Sequence, residues 1–175
     1  MEFRYAADPD FERVTAFYRD AIARTPDMGI YARWSYGLHP TDAMLRDYIR
    51  RGELILLEDG SVIRRAMALT LYQSEEYHAV GWCVDTADDE AAVVHILCIY
   101  PDCQRAGIGK RMIREAIRIA RAEKKKAVRL DALESNTPAH GLYRTLDFAY
   151  RGTQRLYADN TGWTNFLYFE YCLEA

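Results

Sequence analysis

The chain has 175 residues, of which 50% are apolar and 28% charged, with a formal net charge of −3. That length suffices for one domain spanning residues 1–175, with a full hydrophobic core and no need of disulfide or metal staples. The mild acidity argues against nucleic acid as a partner. The lack of a long apolar run, or of a basic and then apolar start (Met1-Glu2-Phe3-Arg4), argues against a membrane and predicts a cytoplasmic protein.

The first predicted element is a short strand over residues 2–6. Asp8-Pro9 then predicts a helix start, with Asp as N-cap and Pro at the first helical position. Phe11, Val14, Tyr18, Ala21 and Ile22 follow at helical spacing, and Pro26 lies just past the end. Residues 27–40 read as an irregular, aromatic-rich connection. A second helix is expected from Thr41, carrying Met44, Leu45, Tyr48 and Ile49, with Gly52 at its close.

Strands are predicted at 54–57 and 62–72, joined by Asp59-Gly60, a hairpin signal that makes them antiparallel. Residues 73–92 read as a long excursion in which Trp82-Cys83-Val84 offers extra strand pairing. Val93–Ile99 is nearly all apolar, as a central strand covered on both faces requires. A helix follows from Lys110 to Glu123, burying Met112, Ile113, Ala116, Ile117 and Ala120. A strand at 128–133 then completes a parallel βαβ unit. A helix near 138–146 and strands near 150–157 and 165–171, turning at Asp159–Gly162, finish the chain.

The four cysteines (Cys83, Cys98, Cys103, Cys172) match no zinc spacing and read as reduced structural thiols. His39, His78, His95 and His140 are equally scattered, so no metal is expected.

The most informative run is Gln104-Arg105-Ala106-Gly107-Ile108-Gly109, between the central strand and the helix from Lys110. A strand, a glycine-bearing turn and a helix N-terminus make an anion site, because the first helical N–H groups are unpaired and the helix dipole is positive there. Lacking the Lys-Ser/Thr ending of a P-loop and the three-glycine dinucleotide spacing, the run favours no nucleotide by itself.

A second motif follows at a fixed distance: Asn136-x-x-Ala139-x-x-Leu142-Tyr143-x-x-x-Asp147-Phe148. Together the two resemble the GCN5-related N-acetyltransferase (GNAT) superfamily, whose element order also matches the elements above over nearly the whole chain. The motif-bearing part is 93–148. Asp147 stands where the family usually has Gly, at a helix end in a left-handed conformation that Asp tolerates.

The resemblance implies an α/β fold with a central mixed β-sheet flanked by helices, the GNAT-like acyl-CoA N-acyltransferase fold. It also implies acetyl-CoA as cofactor. The main chain of Leu97, Cys98 and Ile99 would pair with the pantetheine arm, and Gln104, Arg105, Ala106, Gly107, Ile108, Gly109 and Lys110 would hold the pyrophosphate. Asn136 would hydrogen-bond the arm and Tyr143 would protonate the departing thiolate.

His95 is the expected base, with Glu134 as the weaker candidate, and Lys110, Arg111, Arg114 and Lys124–Lys126 are candidates for the 3′-phosphate. Aromatics at Tyr31, Trp34 and Tyr36, with Tyr157 and Trp163, are expected to wall an acceptor pocket. The implied activity is acetyl transfer to a primary amine of a small molecule. Protein N-terminal or lysine acetylation and a non-catalytic acyl-CoA-binding domain are the alternatives. The oligomeric state is left open, a homodimer included.

Overall fold

The computed structural model describes residues 1–103 and 108–173, without the side chains of Cys103 and Ile108. In chain order the elements are β1 (Glu2–Tyr5), α1 (Phe11–Arg24), α2 (Met28–Tyr31), α3 (Asp42–Arg50), β2 (Leu54–Asp59), β3 (Val62–Thr70), β4 (Ala91–Ile99), α4 (Ile108–Ala122), β5 (Ala127–Leu133), α5 (Thr137–Arg144), β6 (Ala149–Ala158) and β7 (Gly162–Cys172). The strands form one mixed sheet in the order β1-β2-β3-β4-β5-β7-β6, where β4 and β5 alone run parallel.

Alternation along the strands splits the apolar residues between two faces. Ile55, Leu57, Met67, Leu69, Ala92, Val94 and Leu130 pack on one face against Met112, Ile113, Ala116 and Ala120 of α4 and Tyr143 of α5. Leu54, Leu56, Ala66, Ala68, Ile96 and Cys98 pack on the other against Val14, Tyr18 and Ala21 of α1 and Leu45 and Ile49 of α3.

Local signals account for the ends of several elements. Thr41 accepts from the Met44 amide as the N-cap of α3. Gly52 closes that helix at φ +68° while the Glu53 amide reaches back to the Tyr48 carbonyl. Gly60 turns the β2–β3 hairpin at φ +59°. Asp147 takes the left-handed conformation expected of it, φ +63°, and the Phe148 amide bonds the Tyr143 carbonyl.

The expectations fail in three places. Asp8-Pro9 forms a 3₁₀ turn (Asp8–Asp10) ahead of α1, and the capping acid is displaced by a charge network: Asp10 and Glu58 are bridged by Arg4 and Arg13 at 2.6–2.9 Å. The aromatic-rich connection contains a short helix, α2.

The third failure is the 73–92 excursion, where Trp82-Cys83-Val84 joins no strand. It folds as two 3₁₀ turns, Glu75–Ala79 and Asp88–Glu90, held by side chains. Arg129 of β5, 1% exposed in its side chain, donates to Glu170, Gln73, Thr86 and the Val84 carbonyl. A buried guanidinium collecting polar partners across strands substitutes for sheet pairing. It leaves no mark in local sequence.

Candidate active site

β4 and β5 are hydrogen-bonded only at their starts, through Ala91↔Ala127, Ala92↔Val128 and Val93↔Arg129. Beyond that they splay, and a cleft of about 1220 Å³ opens between their C-terminal halves. β4 also carries an extra residue against β3, between the pairs Ala68↔His95 and Ala66↔Cys98. Ile96 sits in this bulge at φ +42°, a costly conformation for a β-branched residue. The buried Tyr18 hydroxyl of α1 holds it by donating to the Ile96 carbonyl at 2.9 Å. The strain re-aims the strand where the cleft begins.

The cleft reaches both faces of the sheet. On the α4 side it is lined by Leu97, Ile99, Gly109, Lys110, Asn136 and Tyr143. Gly109 lies in the first turn of α4, and a Cβ there would meet Leu142 Cδ2 at 2.9 Å and Ile99 Cδ1 at 3.1 Å, so close α4–α5 packing calls for glycine. Asn136 is the N-cap of α5, its side-chain oxygen accepting from the Ala139 amide at 3.4 Å. Tyr143 is buried, its ring packed on Phe148 and Phe169, and burial pushes its phenol well up, so it keeps its proton. Ring packing and a cleft-facing position coexist in this residue.

Cys98 is buried on the opposite face and its thiol is pushed up to about 12 by burial, so it packs as a small hydrophobe. Gln104, Arg105, Ala106 and Gly107 of the predicted phosphate loop lie outside the described residues, as does the side chain of Ile108.

On the α1/α3 side the cleft is lined by His95, Thr70, Tyr48, Glu76, Asp131 and Phe166. His95 is half-buried, stacked on Tyr48 with ring centroids 6.1 Å apart, and its Nε2 lies 3.3 Å from Thr70 Oγ1. The Thr70 hydroxyl spends its hydrogen on the Tyr72 carbonyl at 2.7 Å, so it accepts from His95. The hydrogen-bond arrangement therefore assigns the Nε2–H tautomer and leaves Nδ1 with the lone pair. Burial pushes the imidazole down to about 4, against a smaller upward pull from Glu76, and keeps it neutral.

Asp131 of β5 lines the same cleft as His95 from the other side of the splay. The fully buried Tyr77 donates its hydroxyl to Asp131 Oδ1 at 2.5 Å. Burial raises this carboxyl and the Tyr77 bond opposes the rise. Sequence reasoning missed Asp131, Thr70, Tyr48, Glu76 and Tyr77. A signal existed for Asp131: with Arg129 it places charges on one face of an otherwise apolar strand.

The remaining expected residues divide. Tyr31 and Trp34 line the cleft, whereas Tyr36 lines a separate depression beside Arg19 and donates to Asp42 at 2.5 Å. Tyr157 and Trp163 meet edge to face, exposed, away from the cleft lining. Glu134 faces solvent and accepts from Asn165. Arg111 bonds the Met1 carbonyl, Lys125 the Asp89 carbonyl, and Lys126 pairs with Glu90. Cys83 and Cys172 approach each other beside Glu170, with ligand atoms within 4.8 Å. Arg129 and Arg151 both pair with that carboxylate, which disfavours a cation.

The likeness to known proteins agrees with this architecture. No curated protein sequence matches the chain. Among solved structures, an acetyltransferase of the GNAT family from Streptococcus agalactiae is 18% identical, covering 99% of this chain and 96% of its own, with a TM-score of 0.76. A ribosomal-protein-alanine N-acetyltransferase from Brucella melitensis is 19% identical over 99% and 100%, at 0.70. The yncA structure from Salmonella typhimurium, which holds its cofactor acetyl-CoA, is 16% identical over 100% and 95%, at 0.69. At such identities the likeness is one of fold. The acetyltransferase (GNAT) family itself matches residues 14–148, and the chain belongs to that family.

Proposed function

We propose that the protein transfers the acetyl group of acetyl-CoA, the family's donor, to a primary amine of a small molecule. The observation that carries this reading is the splay between β4 and β5, with Tyr143 on one side of the sheet and a neutral His95 on the other. A thioester laid in the splay is then reached from opposite sides by the two groups that transfer requires. The residues fit the donor: the part of β4 past Val93, which pairs with β3 and has no register with β5, suits the pantetheine arm, and the amides at the start of α4, with Lys110 beside them, suit the pyrophosphate.

The ammonium group first gives one proton to solvent, and the neutral amine nitrogen then attacks the thioester carbon, forming the C–N bond. A backbone N–H of the splayed β4 stabilises the oxyanion. As the nitrogen gains bonds its proton becomes acidic, and His95 Nδ1 accepts it. A base held near pKa 4 suits that late proton better than it suits a free ammonium ion. The C–S bond then breaks and the Tyr143 hydroxyl protonates the thiolate. We place this chemistry in the cytoplasm, with the chain acting as one domain. Among the described residues no helix is long and apolar enough to cross a membrane.

The test is free-thiol release from acetyl-CoA over a panel of amines. Amine-dependent thiol, with the acetylated amine found by mass spectrometry, is expected. Acetyl-CoA binding without thiol release on any amine overturns the reading. Gly107→Val is expected to abolish acetyl-CoA binding by placing a branched side chain in the phosphate loop.

A further inference from the structure

The acceptor side of the cleft is acidic. Four carboxylates line it, Asp27, Asp47, Glu76 and Asp131, against one guanidinium, Arg51. That guanidinium is already engaged, 2.9 Å from Asp47 and 2.7 Å from the Tyr72 hydroxyl. Asp47 is also paired with Arg50 at 2.6 Å, which leaves Asp27, Glu76 and Asp131 without an arginine or lysine partner among the described residues. The other lining cation, Lys110, stands at the donor end on α4. His39 and His95 are held neutral by burial and add no positive charge.

Asp131 is the most constrained of the four. One of its oxygens accepts from Tyr77, and among the described residues no Lys or Arg pairs with it. A half-buried carboxylate with a neutral donor on one edge is incompletely compensated. Asp131 lines the cleft, where an ammonium ion is the fitting partner for the rest of its charge. Glu76, the neighbour of Tyr77 in sequence, lines the same side from an exposed position and pairs with no cation among the described residues. Tyr48 and Phe166 line the same cleft, and their rings suit methylene groups and cations alike.

We propose that the acceptor is a small aliphatic diamine or polyamine. Asp131 draws its reactive end toward His95 at the splay, and Glu76 takes a second ammonium group further out. Amino acids and other acceptors bearing a carboxylate are disfavoured, because their charge would meet Glu76 and Asp131 without a free cation to offset it. This deepens the acetyltransferase reading and rests on it.

The experiment compares diaminobutane, butylamine and aminobutanoate, which differ only at the far end of the chain. Both amine-dependent thiol release and calorimetric binding are measured. The expected order in kcat/KM is diaminobutane about tenfold above butylamine, with aminobutanoate the poorest. Glu76→Gln, at an exposed position, is expected to shrink the advantage of diaminobutane over butylamine to about twofold. Asp131→Asn is expected to weaken binding of all the amines.

Aminobutanoate matching or exceeding the diamine overturns the proposal, as does an advantage that survives Glu76→Gln. Should no amine release thiol while the diamine still binds preferentially, the acetyl-transfer reading fails and the ligand class stands. If acetyl-CoA is turned over on other amines and the diamine neither binds nor reacts, the reading stands and the class fails.

Discussion

Thr70 Oγ1 lies 3.3 Å from His95 Nε2 and gives its own hydrogen to the Tyr72 carbonyl, so a threonine one strand away decides which nitrogen of the histidine holds the lone pair. This role is one of positioning. Thr70→Val keeps the shape and leaves the Nε2–H without an acceptor. A kcat lower by about fivefold is expected, with KM for acetyl-CoA unchanged. Thr70→Ser restores the rate, and nitrogen NMR of the imidazole reads the tautomer directly. An unchanged rate and tautomer in the valine variant would count against the assignment.

The depressed histidines set a direction for stability against pH. Burial holds His95 down at about 4 and also lowers His39 and His140, whereas the unfolded chain titrates them near 6.5. Between those values the unfolded state binds more protons, so folding stability falls as pH drops below about 6.5 and is unaffected by these groups above it. Melting temperatures from pH 7 to 4 should decline less steeply in His95→Gln than in the parent. The same shift keeps any acid limb of kcat that belongs to His95 below about pH 5.

Tyr143 separates packing from chemistry. Its ring contacts Phe148 and Phe169, and Tyr143→Phe preserves both. The expected result is an unchanged melting temperature with kcat reduced by about a hundred- to ten-thousandfold, the range for loss of a general acid. Equal losses in stability and rate would return the residue to the core alone.

Gly109 is a packing site in the first turn of α4. Gly109→Ala directs a Cβ at Leu142 and Ile99, and a destabilisation of roughly 1–3 kcal/mol is expected from overpacking. Adding Leu142→Ala removes the obstructing methyl groups. In a double-mutant cycle by denaturant melts, the two changes together should cost less than their sum.

Arg129 anchors the excursion that delivers Glu76 and Tyr77 to the cleft. Glu170→Gln leaves a buried guanidinium without its carboxylate, at an expected cost of roughly 3–5 kcal/mol. Hydrogen exchange at residues 82–88 should rise in the same variant, since the Cys83 amide also donates to Glu170.

Much of the fold was legible because its signals are local. The Asp59-Gly60 turn, Thr41 as a cap, Gly52 and Asp147 as left-handed closers, and the apolar runs at 54–57 and 93–99 each act within a few residues. The proposed donor half was readable as a motif for the same reason, since the glycine turn, whose residues 104–107 lie outside the described residues, and the run from Asn136 to Phe148 occupy one strand–helix–strand–helix stretch. The acceptor half was not. Asp131 meets Tyr77 across 54 positions and Thr70 meets His95 across 25, and neither pairing has a spacing that local periodicity can detect.

Sequence by itself determined the family and the order of elements. Tertiary structure decided which side of the sheet each group faces. It sent Tyr36, Tyr157 and Trp163 away from the cleft, brought Tyr48 and Asp131 into it, and set the protonation of His95 through burial. The physical reason is that orientation and desolvation belong to the packed sheet as a whole: a bulge at Ile96 and a splay after Val93 re-aim side chains whose identities were plain from the start.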